Sequence, residues 1–194
     1  FMQTKIISIN PKNPEQEKIT ICANAIKQGK LVAFPTETIY GLGADALNEQ
    51  AIKSIFAAKG RPADNPLIIH IANKQDLDKL DIDVSSNAKK LIDKFWPGPL
   101  TLIFKKSNEI CNAVTAGLDT VAIRMPSNKI ALELIKKAGP IAAPSANLSG
   151  RPSPTSAKHV IQDLNEKVDI IIDGGDSDIG LESTVLNLTS KIPT

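Results

Sequence analysis

Short apolar runs and stretches with apolar residues at helical spacing take turns along this chain, the pattern of a sheet covered by helices. Ile6-Ile7-Ser8-Ile9 reads as a strand, residues 15–28 as a helix closed by Gly29, and Leu31-Val32-Ala33-Phe34 as a buried strand ending at Pro35. A hydroxyl-rich loop comes next, then a helix from about residue 51 to Lys59, stopped by Gly60 and Pro62. Residues 67–71 form a strand, 77–80 and 86–95 are helical, and Trp96-Pro97-Gly98-Pro99 sets a rigid turn into a strand over 100–104. Strand 120–124, helix 130–138 and strand 141–143 follow; the last carries so little side chain that another backbone or a ligand can come close. Ser153 and Pro154 supply a capping hydroxyl and a first-turn proline for a helix running to about Leu164, and strands over 168–172 and 184–188 complete the sheet. The alternation gives an α/β or α+β fold. With no repeat, low-complexity run or linker, residues 1–194 are expected to form one domain.

Composition narrows the class without naming a chemistry. Of 194 residues 42% are hydrophobic, ample for a core. The 23 Lys and Arg nearly cancel the 21 Asp and Glu, so a net charge of +2 exerts no global pull on nucleic acid or membrane, and any polyanion site is local. Cys22 and Cys111 have no partner at metal-ligand spacing and make no disulfide framework, which suits a reducing, cytoplasmic setting. No apolar run reaches the roughly 18 residues of a membrane span. Seven aromatic residues are too few for stacking platforms on single-stranded nucleic acid.

Two separated stretches carry candidate chemistry. Lys59-Gly60-Arg61-Pro62 places two cations at a helix end, and Pro144-Ser145-Ala146-Asn147-Leu148-Ser149-Gly150 places hydroxyls and an amide after a strand. Past a glycine stop both cations can turn toward one anion, as a phosphate requires; the alternative is a basic helix terminus facing the dipole and solvent. Phe34-Pro35-Thr36-Glu37-Thr38-Ile39-Tyr40-Gly41-Leu42-Gly43 enters another polar loop at a strand end. Its Gly41, Gly43 and Ala46 match G-x-G-x-x-A, but the tight strand-to-helix turn of a dinucleotide site is missing, and the chain has no P-loop stretch. Arg124 closes a strand and needs an anionic partner, either Asp119 or Glu182 in a structural ion pair or the carboxylate or phosphate of a substrate. His70 closes another strand and is either a satisfied core histidine or a ligand, while His159 falls on the outward side of a helix. Asp173-Gly174-Gly175-Asp176 reads as a turn, and no cluster indicates a zinc site.

Six segments in order, residues 34–42, 59–62, 65–71, 96–101, 121–126 and 144–150, resemble the threonylcarbamoyl-AMP synthase family, also called YrdC-like, over about residues 15–188. The resemblance implies an open, twisted, mixed sheet with flanking helices around a large, positively lined cavity. It implies conversion of L-threonine, bicarbonate and ATP, with Mg2+, to threonylcarbamoyl-adenylate and pyrophosphate, the first step toward N6-threonylcarbamoyladenosine in tRNA and a link to the machinery that transfers the group. By motif position, Lys59 and Arg61 are implied as phosphate contacts and the catalytic pair. Asn65, Thr120, Ser145, Asn147 and Ser153 are the remaining ATP contacts. Thr36, His70, Arg124, the backbone of Ala143, and Ser183 form the threonine pocket, with Tyr40 as a wall. Lys59→Ala is expected to abolish adenylate formation with little change in melting temperature. Other members continue into a Leu-Arg-Pro-Gly-like stretch whose arginine contacts ATP; this sequence reads Lys191-Ile192-Pro193-Thr194 there. The chain is therefore expected to be the catalytic domain of a longer protein, its linker and C-terminal domain lying outside it. The competing functions are a double-stranded RNA-binding module, disfavoured by the weak net charge, and a related carbamoyl-adenylate-forming module of hydrogenase maturation.

Overall fold

The computed structural model describes residues 3–190; the 191–194 stretch, which the family resemblance marks for an arginine, lies outside them. The chain runs β1 (Lys5–Ser8), α1 (Gln16–Lys27), β2 (Val32–Pro35), β3 (Tyr40–Asp45), α2 (Glu49–Lys59), β4 (Ile68–His70), α3 (Asp76–Lys79), α4 (Ser86–Phe95) and β5 (Leu100–Lys105). It continues through α5 (Asn112–Thr115), β6 (Thr120–Arg124), α6 (Lys129–Ala138), β7 (Ile141–Ala143), α7 (Ala157–Leu164), β8 (Ile170–Asp173) and β9 (Thr184–Asn187). The strands form one mixed sheet in the order β1-β8-β2-β3-β7-β4-β6-β5-β9. β4 pairs parallel to β6 and antiparallel to β7, β5 pairs antiparallel to β6, and β9 lies parallel to β5 at the edge. No helix among the described residues is long and apolar enough to cross a membrane.

Three elements differ from the sequence expectation. The loop after Phe34 is a tight turn, and residues 40–45 return as β3, antiparallel to β2. Glycines 41 and 43 hid this strand because glycine has low strand propensity, yet close packing demands the second: a Cβ on Gly43 would lie 2.7 Å from Ile141 Cγ2 and 2.8 Å from the Phe34 ring. Helix α7 starts at Ala157 and is capped by Ser156, whose hydroxyl accepts from the His159 N–H; Ser153 is not its cap. The four-residue α5 carried too little periodicity to be seen. The glycine stop after α2 is as expected: Gly60 takes φ 58°, its N–H donates to Ala57 O and the Arg61 N–H reaches back to Phe56 O, a left-handed helix end that turns the chain sharply.

How the two faces of the sheet are covered positions the site. One face packs Ala33, Leu42, Ile69, Leu102, Ile123 and Ile171 against α2, α4, α5 and α7. On the other face, Val32, Phe34, Ile141, Ile170 and Ile172 pack against apolar residues of α1 and α6. Neither α1 nor α6 extends over β4, β6, β5 and β9, where strand alternation puts Ile68, His70, Ala122, Arg124, Thr101 and Val185 on that same face. That uncovered half is the floor of a cavity. Its boundary with the covered half is an edge-to-face contact between the Phe34 and His70 rings, centroids 5.9 Å apart.

Candidate active site

The cavity holds about 290 Å³, near the lower end of the roughly 300–1,000 Å³ of small-molecule sites. Its walls come from the β2–β3 turn, Arg61 and Pro66, the ends of β4 and β6, residues 143–145 after β7, and residues 182–185 leading into β9. Five sequentially distant segments converge there because the strand order interleaves them.

Arg124 dominates one end. It is 3% exposed, and its Nε donates to Gly98 O at 3.2 Å while Nη1 donates to Thr38 Oγ1 at 2.9 Å. Its Nη2 pairs with Glu37 Oε1, and Glu37 Oε2 accepts the Ser127 N–H at 3.0 Å. The structural partner of Arg124 is therefore Glu37, not Asp119 or Glu182. Glu37 sits in the turn after β2, a distance along the sequence that spacing alone does not bridge. The hydroxyls beside it form a directed chain. Thr36 Oγ1 donates to Ile39 O at 2.6 Å, so the 2.9 Å contact between the two hydroxyls is donated by Thr38, which in turn accepts from Arg124.

His70 faces the same end. It is paired in register with Arg124, and its Nδ1 lies 3.0 Å from Ile68 O. Burial, reinforced by the Arg124 cation, pushes its pKa down to about 3, so the ring is neutral at physiological pH. Ser183 completes this end through a 2.6 Å contact between its hydroxyl and that of Thr101, a buried residue opposite Arg124 on β5.

The other end is built from loops. Arg61, half-buried, and Ser145 line it. Lys59 does not: at 2% exposure its ammonium is turned behind the loop after β7, where it donates to the carbonyl oxygens of Ser145 and Asn147 and lies 3.4 Å from Asn147 Oδ1. Burial, then the neighbouring Arg61 charge, pushes its pKa down to about 8. The Asn147 amide donates to Leu148 O and Arg151 O, and Asp163 of α7 accepts from the Leu148 N–H and from Arg151, so the loop is tied down from both sides.

The expected site residues thus divide. Thr36, Arg61, His70, Arg124, Ala143, Ser145 and Ser183 line one cavity. Lys59 and Asn147 stand behind it. Thr120 lies on the cavity face of β6 but at the end opposite Arg124, Asn65 is exposed beside the lining residue Pro66, and Ser153 donates to Glu182 at 2.9 Å outside the cavity. Tyr40 is not a wall: strand alternation points it to the opposite face from Gly41, where its hydroxyl donates to Gly175 O at 2.7 Å and accepts the Gly174 N–H at 3.2 Å. Residues 173–176, read from the sequence as a turn, are instead the end of β8 and irregular backbone after it, and Gly174 and Gly175 anchor this tyrosine. Glu37, Thr38, Thr101 and Glu182 were missed as site residues. A lone acid set between two threonines straight after a buried strand was the available signal for the first two. No group of His, Cys, Asp and Glu able to hold a metal ion occurs among the described residues.

A bare strand face carrying a buried arginine thus lies beside the Arg61 segment after α2 and the Ser145 loop after β7. The chain belongs to the Sua5/YciO/YrdC family, whose model, described as telomere recombination, matches residues 24–194. Among particular relatives, it is 59% identical over 180 residues to the threonylcarbamoyl-AMP synthase of Pyrococcus abyssi, covering 92% of this chain and 53% of that protein. It is 54% identical over 178 residues to that of Bacillus subtilis, covering 91% and 51%. The crystal structure of P. abyssi Sua5 complexed with L-threonine superposes with a TM-score of 0.95 at 57% identity, covering 98% of this chain and 56% of that one. The chain spans about half the length of the curated relatives it matches.

Proposed function

We propose that this chain is the catalytic domain of a threonylcarbamoyl-AMP synthase, joining L-threonine, bicarbonate and ATP into threonylcarbamoyl-adenylate with release of pyrophosphate. The observation that carries the reading is the cavity itself. A buried Arg124, a neutral His70 and the hydroxyls of Thr36 and Ser183 converge on one end, in a fold shared with a relative crystallised with L-threonine.

In this reading Arg124 binds the amino-acid carboxylate. Three of its five N–H donors are taken by Gly98, Thr38 and Glu37, and the remaining two suit a carboxylate fork. Neutral His70 adds no second positive charge beside the incoming amine. The amine, once deprotonated, joins bicarbonate with loss of water to give a carbamate. A carbamate oxygen then attacks the α-phosphorus of ATP, and the bond to the pyrophosphate oxygen breaks. The walls of the cavity hold the partners together and limit the water that returns the carbamate to amine and bicarbonate. Arg61 and the Ser145 loop meet the phosphates, and the ammonium of Lys59 acts from behind the loop, offsetting phosphate charge while fixing the Ser145 and Asn147 backbone. Mg2+ would enter with ATP, held by phosphate and water oxygens with the Ser145 hydroxyl as a protein donor. That is the usual manner for an ion that keeps much of its hydration.

The product would be a reactive mixed anhydride, which supports prompt consumption by a transferase acting on tRNA; a cytoplasmic setting beside that machinery is part of the same reading. The test is pyrophosphate release from ATP, bicarbonate and Mg2+ with each amino acid in turn. Threonine-dependent release is expected. Absence of both release and calorimetric threonine binding overturns the reading.

A further inference from the structure

We propose that Glu37, seconded by Thr38, is a positioning residue for the amino-acid end of the site. The β2–β3 turn fixes the Arg124 guanidinium so that its two unspent N–H donors serve the substrate carboxylate. This rests on the proposed threonine-binding role of Arg124 and extends it to Glu37, which lies outside the cavity lining, and to Thr38 beside it.

An arginine on a strand end has four flexible bonds and, in a cavity, many orientations. Here three hydrogen bonds restrict them together. Glu37 takes Nη2, Thr38 takes Nη1 at 2.9 Å and Gly98 takes Nε at 3.2 Å, which fixes the plane of the fork. The clamp is itself clamped. The second carboxylate oxygen of Glu37 holds the Ser127 N–H at 3.0 Å, three residues beyond Arg124, so the turn grips the end of β6 from two directions. Thr38 spends its own proton on Thr36, whose proton goes to Ile39 O, so Thr38 can only accept from Arg124. The turn is pinned from the other side, where Ile179 N and Gly180 N donate to the carbonyls of Glu37 and Thr38.

Charge makes the same point. Glu37 and Arg124 are both buried, their side chains 8% and 4% exposed, and a lone buried cation would incur a large desolvation cost. Glu37 balances the Arg124 charge while leaving two donors unspent, so a monocarboxylate can be accepted without first breaking an ion pair. A free Arg124 would have to be ordered by the substrate itself, and that ordering would weaken binding.

The test is calorimetry of L-threonine and, separately, of a non-hydrolysable ATP analogue, on wild type, Glu37→Gln, Glu37→Asp and Thr38→Val. Glu37→Gln keeps the size and removes the charge. Threonine affinity is expected to fall roughly 10- to 100-fold, with ATP-analogue affinity within about twofold of wild type, partial recovery in Glu37→Asp, and a smaller loss in Thr38→Val. Unchanged or tighter threonine binding by Glu37→Gln overturns the proposal, as does an equal loss for both ligands, which marks a merely structural residue. Should Glu37→Gln fail to fold, Thr38→Val decides by the same two affinities. Wild-type protein that binds no threonine sinks the functional reading instead, so the two failures are distinct.

Discussion

The two ends of the cavity are made differently. Arg124 and His70 stand on paired strands, and Thr36 belongs to a turn locked by its own hydroxyl; each is held by hydrogen bonds within the protein before any ligand arrives. Arg61 and Ser145 stand on segments that follow a helix stop and a strand end, and Asn65 lies exposed in the loop after Arg61. A strand end fixes a direction through the sheet ladder, whereas a loop holds one only as well as its tethers. The small, constant ligand proposed for the first end suits a rigid socket. The proposed triphosphate, which must change geometry as pyrophosphate leaves, suits tethered loops.

The comparison breaks first at Lys59. Its ammonium is both the proposed charge behind the phosphates and the tie between α2 and the Ser145 loop, so Lys59→Met is expected to reduce pyrophosphate release by roughly 10²–10³-fold. It also leaves two carbonyls without their partner, at about 1–3 kcal/mol each if they stay dry. In contrast to the sequence expectation for Lys59→Ala, the melting temperature is expected to fall together with activity. A variant with wild-type turnover, or one whose melting temperature does not move, contradicts this dual role.

Arg124→Ala comes next. It strands Glu37 in a buried site, which costs about 3–5 kcal/mol, and it removes threonine binding. Arg124→Lys keeps the charge without the fork and is expected to raise the KM for threonine far more than the KM for ATP. Parallel rises in both would erase the distinction between the ends.

A pH profile sharpens the contrast. The Lys59 pKa lies near 8, below its ordinary 10.5, so activity should decline on the alkaline side with a midpoint near 8, and Lys59→Arg should remove that limb in whatever activity it retains. Stability moves the opposite way. Between about 8 and 10.5 the unfolded chain binds the extra proton, so the fold gains stability as pH rises through that window. Thermal melts across the window, compared between wild type and Lys59→Met, check the sign.

The acid side of the profile belongs to His70. Its pKa is lowered from 6.5 to about 3, so below 6.5 the unfolded chain takes up a proton that the folded chain refuses, and stability falls as pH drops toward 3. His70→Asn should flatten that part of the melting-temperature profile; an unaltered slope assigns the acid sensitivity elsewhere.

Much of this molecule was legible in one dimension. Strands at 120–124 and 141–143 and the glycine stop at Gly60 follow from apolar runs and backbone preference, which are local properties. Strand β3 was not legible, because its glycines answer to Phe34 and Ile141 across the sheet. Nor was the direction of Lys59, which a helix-end pattern aimed outward and a loop some 86 residues away turned inward.

The sequence by itself determined most of the elements, the ordered motifs and hence the family, along with the inventory of cations and hydroxyls available for chemistry. Only the tertiary structure decided which acid neutralises Arg124, which side of β3 Tyr40 faces, and that the cavity is the half of a sheet face its helices leave bare. Hydrophobic period and turn preference act over a few residues and are written in order along the chain. Charge pairing and sheet register act across space, and their partners are chosen by the fold.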